Sequence, residues 1–187
     1  MKQPFHLWTI FKTFVSVVIA SLIIAFSFVK FMEYNDLVIV TVSGGSMEPT
    51  YYSGDTFLLK KEESFLKNDL ILFDTPKSWE SVGLDDESII KRIIAVPGDT
   101  LTFENNTFYV NDEEVFTFNG TNTVCDNPLS NYSHTLVDDE IFVLGDNYPH
   151  TFDSRAVFCL GVKDFYVHSS DVKAYGKMRW GTLPRLG

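Results

Sequence analysis

The sequence predicts a mainly β fold, with a single N-terminal transmembrane helix ahead of a β-rich domain. Two observations carry that expectation. Residues 13–29 hold no charged side chain and are dense in Val, Ile, Phe and Ala, close to the lower length limit for a spanning helix. Beyond them, short apolar runs are bounded by Gly, Pro, Asn and Asp, and none sustains a helical period for long. With 187 residues and 45% hydrophobic content, the chain can bury one core, but it is short for two independent domains unless one part is an anchor. The expected division is residues 1–12 as a cytoplasmic N-terminus, 13–32 as the anchor and 33–187 as an extracytoplasmic β-rich domain.

Phe5, Leu7, Trp8, Ile10 and Phe11 can lengthen the anchor at its near end. A cleavable leader would show a small-x-small pattern after the apolar run, whereas Lys30, Phe31, Met32, Glu33 and Tyr34 follow it here. Lys2 and Lys12 precede the run, and Glu33 and Asp36 soon join Lys30 after it, so the positive-inside tendency puts the N-terminus in the cytoplasm. A formal charge of -10, from 15 basic and 25 acidic residues, repels phosphates and excludes nucleic acid as a partner where no basic patch intervenes. The clusters Asp85-Asp86-Glu87, Asp112-Glu113-Glu114 and Asp138-Asp139-Glu140 read as solvated loop faces. No His, Cys or carboxylate spacing resembles a ligand set, so neither a metal nor a cofactor is expected.

Residues 37–42 alternate as a strand and lead into Ser43-Gly44-Gly45-Ser46-Met47-Glu48-Pro49-Thr50. The glycines permit backbone angles closed to other residues and Pro49 fixes the chain, which leaves the Ser46 hydroxyl on a bend just past a strand end. Gly54-Asp55 is a turn, residues 56–59 a second strand and residues 69–73 a third, closed by Pro76. Over residues 88–96 a period of two puts Ile89, Lys91, Ile93 and Ala95 on one face and Ile90, Arg92 and Ile94 on the other. A lysine among isoleucines either snorkels to water or is buried, and burial lowers its pKa from about 10.4. Each unit of that shift corresponds to about 1.4 kcal/mol, so a neutral lysine forfeits several kcal/mol of solvation and implies a use.

Pro97-Gly98-Asp99 turns the chain; residues 100–103 and 107–110 form a hairpin around Glu104-Asn105-Asn106, and 115–118 extend it. The polar segment 119–135 is expected to be a surface loop. A strand over 141–144 precedes Gly145-Asp146-Asn147, a tight turn, and Asp153 and Arg155 are spaced to pair. Residues 162–180 supply closing strands, with 164–171 as a connection.

Together these stretches resemble the type I signal peptidase family of membrane-bound serine proteases. Ser46-Met47-Glu48-Pro49-Thr50 resembles its nucleophile box, with Gly54-Asp55 following in place. Lys91-Arg92 with Val96-Pro97-Gly98-Asp99 resembles its lysine box, and Gly145-Asp146-Asn147 with Asp153-Ser154-Arg155 its last box. The resemblance implies a β-rich catalytic domain whose nucleophile is Ser46 and whose general base is Lys91, since a serine hydroxyl needs a base with a free lone pair. It implies an oxyanion donor in the Ser46 backbone N–H. Gly44 stands where one branch of the family has a second, side-chain donor, and Ser43 is a substitute for it. Thr151 replaces a serine that hydrogen-bonds the lysine and keeps the hydroxyl. Asp153 and Arg155 match a bracing pair, whereas Tyr148 stands where the family usually has Arg. Lysine as the base, with short loops and one anchor, resembles Gram-positive members.

The implied partners are preprotein signal peptides and the lipid bilayer, with cleavage after small residues, typically Ala-x-Ala. Matching positions suggest shallow apolar pockets from Val40, Val42, Met47, Tyr51, Ile89 and Ile90. Cys125 and Cys159 both fall in the exported part, where a bridge is chemically permitted. His150 matches a variable position of the last box and reads as a solvated loop histidine. Two other readings compete with the protease: a catalytically silent relative that assembles a surface structure such as a pilus, and a self-cleaving repressor, disfavoured by the anchor and the lack of a DNA-binding segment.

Overall fold

The computed structural model describes residues 7–60, 64–84, 88–118 and 131–176, and the chain divides into one unit ending at Leu37 and another beginning at Val38. The first unit is helix α1, Leu7–Tyr34, which reaches past the expected bounds of 13–32 at both ends. Trp8, Ile10 and Phe11 continue its apolar surface on one side, and Glu33 and Tyr34 complete the last turn on the other. Its 27-residue stretch Trp8–Tyr34 is long and apolar enough to cross a membrane, spanning about 40 Å at 1.5 Å per residue. Thr13 and Ser16 donate their hydroxyls to the carbonyls of Thr9 and Lys12, so these polar side chains are satisfied within the helix.

The second unit is mainly β, as expected. Its elements are β1 Leu37–Thr41, β2 Thr56–Lys60, β3 Leu70–Phe73, the short helix α2 Lys77–Glu80, β4 Ile89–Ala95, β5 Thr100–Glu104, β6 Thr107–Val110 and β7 Glu113–Thr117. There follow β8 Tyr132–Thr135, β9 Glu140–Leu144, the helix α3 Ser154–Cys159, β10 Val167–His168 and β11 Val172–Gly176. β1 and β2 pair with each other, β10-β9-β4-β3-β11 make a five-stranded sheet, and β7-β6-β5-β8 a four-stranded one. β4 is therefore central: Lys91 lies opposite Ile71 of β3, and Arg92 opposite Leu144 of β9.

Alternation along β4 serves two apolar clusters. Ile93 and Ala95 join Ile71, Phe73, Phe103, Phe108, Phe142, Phe158 and Phe165 in the larger one. Ile90 joins Val40, Val42, Met47, Tyr51, Phe57, Leu59, Leu70 and Ala174 in the smaller. The larger cluster is largely aromatic, with the Phe158 ring 5.1 Å from Phe103 and 4.9 Å from Phe165 in edge-on geometry, an arrangement favourable for ring quadrupoles.

The β5–β6 hairpin closes on Asn105 and Asn106, with φ of 50° and 62°, the left-handed pair that tight hairpins require. Part of the expected loop over 119–135 is instead strand β8. Its polarity comes from its exposed face, where Thr135 and Ser133 meet the hydroxyls of Thr100 and Thr102 across the ladder. Residues 119–130 lie outside the described residues, as do 85–87 and 177–180. Helix α3 was not expected either. Asp153 creates it by accepting from the backbone N–H groups of Arg155 and Ala156 as N-cap.

Candidate active site

Ser46 sits on the bend between β1 and β2. Val42 N donates to Asp55 O and Gly54 N to Val42 O, which pins both ends of the excursion, while the Asp55 carboxylate takes the Tyr52 N–H at 2.8 Å. Gly44 has φ of 80°, a region that strains any residue with a Cβ, so glycine is required there. Its backbone lies in open space, and Ser43 beside it is exposed. Ser46 itself is half-buried.

Lys91 comes to Ser46 from β4, 45 residues later in the chain, with Nζ 2.8 Å from Oγ in a hydrogen bond. Its side chain is only 2% exposed, so the snorkelling alternative does not apply. An amine this deep has lost the hydration that favours its charged form.

The turn after β9 completes the site. Asn147 N donates to Ser46 O at 3.0 Å, and Asn147 Nδ2 to Gly45 O at 2.8 Å. Gly145 is packed so closely that a Cβ there would collide with Thr151 Oγ1 and the Ser46 carbonyl. Beneath it, Asp153 is fully buried and takes the Gly145 N–H at 3.1 Å and Arg155 Nη2 at 3.2 Å on Oδ2. Burial pushes the Asp153 carboxyl above its ordinary value, against the opposing pull of Arg155, the Gly145 amide and Lys91. Asp153 and Arg155 thus pair as anticipated, but through one guanidinium nitrogen, because the second carboxylate oxygen caps α3.

Thr151 is brought to the site and buried, yet its Oγ1 has no hydrogen-bond partner among the described residues. The expected bond to Lys91 is therefore not made: Thr151 is extended, with φ of -122° and ψ of 139°, and its hydroxyl packs against Gly145. Of the anticipated pocket residues, Val40, Val42, Met47, Tyr51 and Ile90 gather in one cluster with the loop that bears Ser46. Ile89 does not, since the alternation of β4 turns it towards the larger core.

Sequence reasoning missed one pairing. Arg92 grips Asp146 with two parallel bonds, Nε to Oδ1 at 2.7 Å and Nη2 to Oδ2 at 2.6 Å, and donates Nη1 to Asn68 O. This bidentate contact joins the strand carrying Lys91 to the turn holding Ser46. Asp146 beside it holds the guanidinium above its ordinary value, while burial pushes the Tyr51 phenol up. The signal lay in register: with Arg92 opposite Leu144, the residue after the next falls within reach.

Comparison with known proteins places the sequence in a family. Residues 7–180 fit the family described as signal peptidase, peptidase S26. The chain belongs to the signal peptidase family. It is 30% identical over 129 residues to Signal peptidase I V of Bacillus subtilis, covering 61% of this chain and 72% of that one. With Signal peptidase I of Streptococcus pneumoniae the identity is 26% over 185 residues, covering 79% and 84%. With Signal peptidase IB of Staphylococcus aureus it is 31% over 135 residues, covering 62% and 66%. A crystal structure of a signal peptidase I from Enterococcus faecalis aligns with a TM-score of 0.39 at 21% identity, over 62% of this chain and 98% of the other. Family and relatives make this chain a signal peptidase, a serine protease that cleaves signal peptides.

His150 is exposed, consistent with a solvated position. Cys159 is disulfide-bonded, while Cys125 lies outside the described residues. Among the described residues no group of His, Cys, Asp and Glu is arranged to hold a metal ion.

Proposed function

We propose that this signal peptidase is a membrane-anchored endopeptidase that works through a Ser46–Lys91 dyad and cuts after small residues, of the Ala-x-Ala kind. The observation that carries the reading is the 2.8 Å contact between Lys91 Nζ and Ser46 Oγ, with the lysine side chain buried. In the first step the neutral amine of Lys91 takes the hydroxyl proton as Ser46 Oγ attacks the scissile carbonyl. The oxyanion that forms is met by the Ser46 backbone N–H. The ammonium then gives its proton to the departing amine as the C–N bond breaks, and the signal peptide stays on Ser46 as an ester. Water, deprotonated by Lys91, hydrolyses that ester and restores the hydroxyl.

Two other features support the finer reading. Val40, Val42, Met47, Tyr51 and Ile90 form one apolar cluster with the nucleophile loop, a surface chemically suited to small apolar side chains. Helix α1 has the length and composition of a single span, and Lys2 and Lys12, ahead of its uncharged stretch, orient the N-terminus to the cytoplasm. No feature favours the assembly-factor reading, since nucleophile and base are both present and in contact. The test is incubation of detergent-solubilised full chain with a preprotein bearing an Ala-x-Ala site, beside Ser46→Ala and Lys91→Ala. Cleavage by the parent alone is the expected result; cleavage that survives either change removes the dyad.

A further inference from the structure

Arg155 is 3% exposed, and its guanidinium carries more donors than it has acceptors. Nη2 donates to Tyr148 O at 2.9 Å and to Asp153 Oδ2 at 3.2 Å, but Nη1 has no hydrogen-bond partner among the described residues. A buried cation with an unmet donor is costly unless something else stabilises it. Aromatic rings surround it here. The guanidinium carbon lies 4.2 Å from the centroid of Phe116, 5.5 Å from Tyr148 and 5.8 Å from Phe118, and Phe116 and Tyr148 pack on each other with centroids 5.1 Å apart. The negative faces of these rings attract the cation and can receive the remaining N–H.

We infer that Tyr148 and Phe116 are positioning residues of the peptidase: their rings clamp Arg155, and through it the turn that fixes the Ser46 backbone. The inference rests on the proposed dyad, because the atom finally held is the Ser46 carbonyl. Each link in the chain is short. The rings hold the guanidinium, the guanidinium holds Asp153 Oδ2, and that oxygen holds the Gly145 N–H at 3.1 Å. Gly145 packs directly against the Ser46 carbonyl, which also receives Asn147 N at 3.0 Å. Tyr148 follows Asn147 in sequence, so the same short turn bears both the clamp and the tether. The clamp recruits a four-stranded-sheet residue, Phe116 of β7, to steady a site built on the other sheet. It also accounts for an aromatic residue at 148, where a cation would stand against the buried Arg155.

The test uses the full-length protein in detergent and compares Tyr148→Phe, which keeps the ring, with Tyr148→Leu, which keeps apolar bulk and removes the π face. Tyr148→Phe is expected to cleave a preprotein within about twofold of the parent, whereas Tyr148→Leu should lose about three- to tenfold in kcat, the range set by one cation–π contact. KM should stay within about twofold for both, since substrate binding is not what the clamp holds. Phe116→Leu should reproduce the loss. Equal rates for the Phe and Leu variants of Tyr148, or a loss carried by KM, would overturn the clamp while parent cleavage leaves the dyad standing. A readout independent of activity covers an inactive parent, whose failure would count against the dyad alone. The Arg155 side-chain proton resonances should be shifted upfield by ring current in the parent and in Tyr148→Phe, and less shifted in Tyr148→Leu and in Phe116→Leu, the latter removing the nearest ring; unshifted resonances in the parent would overturn the clamp.

Discussion

Adding one methyl group at Gly145 should disable the protease, and the size of the effect can be worked from its surroundings. A Cβ at this position would lie 2.5 Å from the Ser46 carbonyl oxygen, against the 3.4 Å at which ordinary contact begins, and closer still to Thr151 Oγ1. The Thr151 side chain cannot yield freely, because it is buried, so the Ser46 backbone or the Gly145 turn must retreat by about 0.9 Å, the shortfall from ordinary contact. Overpacking of this kind costs about 1–3 kcal/mol of stability, or a melting shift on the order of 2–10 °C for a chain of this size. The catalytic cost should be larger, since a misplacement of about 1 Å at a reacting group costs roughly 10²-fold in rate. Gly145→Ala is therefore expected to lose on the order of 10²-fold in kcat on a signal-peptide substrate while remaining folded by thermal melting. Parent-like kcat in a folded Gly145→Ala protein would refute the claim that this turn sets the position of Ser46.

Asp99 gives a pH-dependent prediction. Although burial raises its carboxyl, the Val96 N–H at 2.9 Å, Asn111 Nδ2 at 2.6 Å and the Lys67 ammonium at 2.9 Å outweigh that and hold it below its ordinary value. A depressed carboxylate contributes stability above its unfolded value, near 3.8, and loses it as pH falls through the folded one. Urea melts should show Asp99→Asn less stable than the parent at pH 7, with the gap closing below about pH 4; a gap that does not change with pH would contradict this. Arg92→Lys keeps a cation but loses the two-pronged grip on Asp146, and kcat should fall by about tenfold, the loss of one charge-assisted hydrogen bond; parent-like kcat would show that the strand and turn need no such tie. Thiol labelling of the unreduced, denatured protein, read by peptide mapping, should leave Cys159 unlabelled, and label on Cys159 would contradict its bonded state.

The apolar helix and the β character were legible because each has a local mark, an uncharged apolar run and alternating strands, whereas the approach of Lys91 to Ser46 was implied only by the resemblance of their boxes to a known family. Asn105-Asn106 announced its hairpin because asparagine tolerates the left-handed backbone that such a turn needs. What escaped depends on contacts between distant segments. The polar residues 132–135 form a strand because Phe103 and Thr100 of β5 offer it a ladder, and nothing within the segment itself announces that partner. Helix α3 is too short to show a period, and only Asp153 at its cap marks it. Ile89 and Ile90 were both assigned to the pocket by position in the box, although alternation already required one of them to face away. Arg92 with Asp146 needed the register between β4 and β9, and the rings around Arg155 needed the packing of β7 against the turn after β9. The bond from Thr151 to Lys91 was implied by the family position it occupies and by its hydroxyl, and the backbone turns that hydroxyl towards Gly145.

The central claim is that residue 91 acts as a neutral amine that takes the Ser46 proton, so the most direct measurement separates a base from a mere positive charge. Lys91→Arg keeps a cation on a long stem but cannot deprotonate in the working range, and Lys91→Met keeps the stem without nitrogen. The account predicts that both, folded by thermal melting, lose on the order of 10²–10⁴-fold in kcat on a preprotein. Substantial cleavage by Lys91→Arg would contradict it.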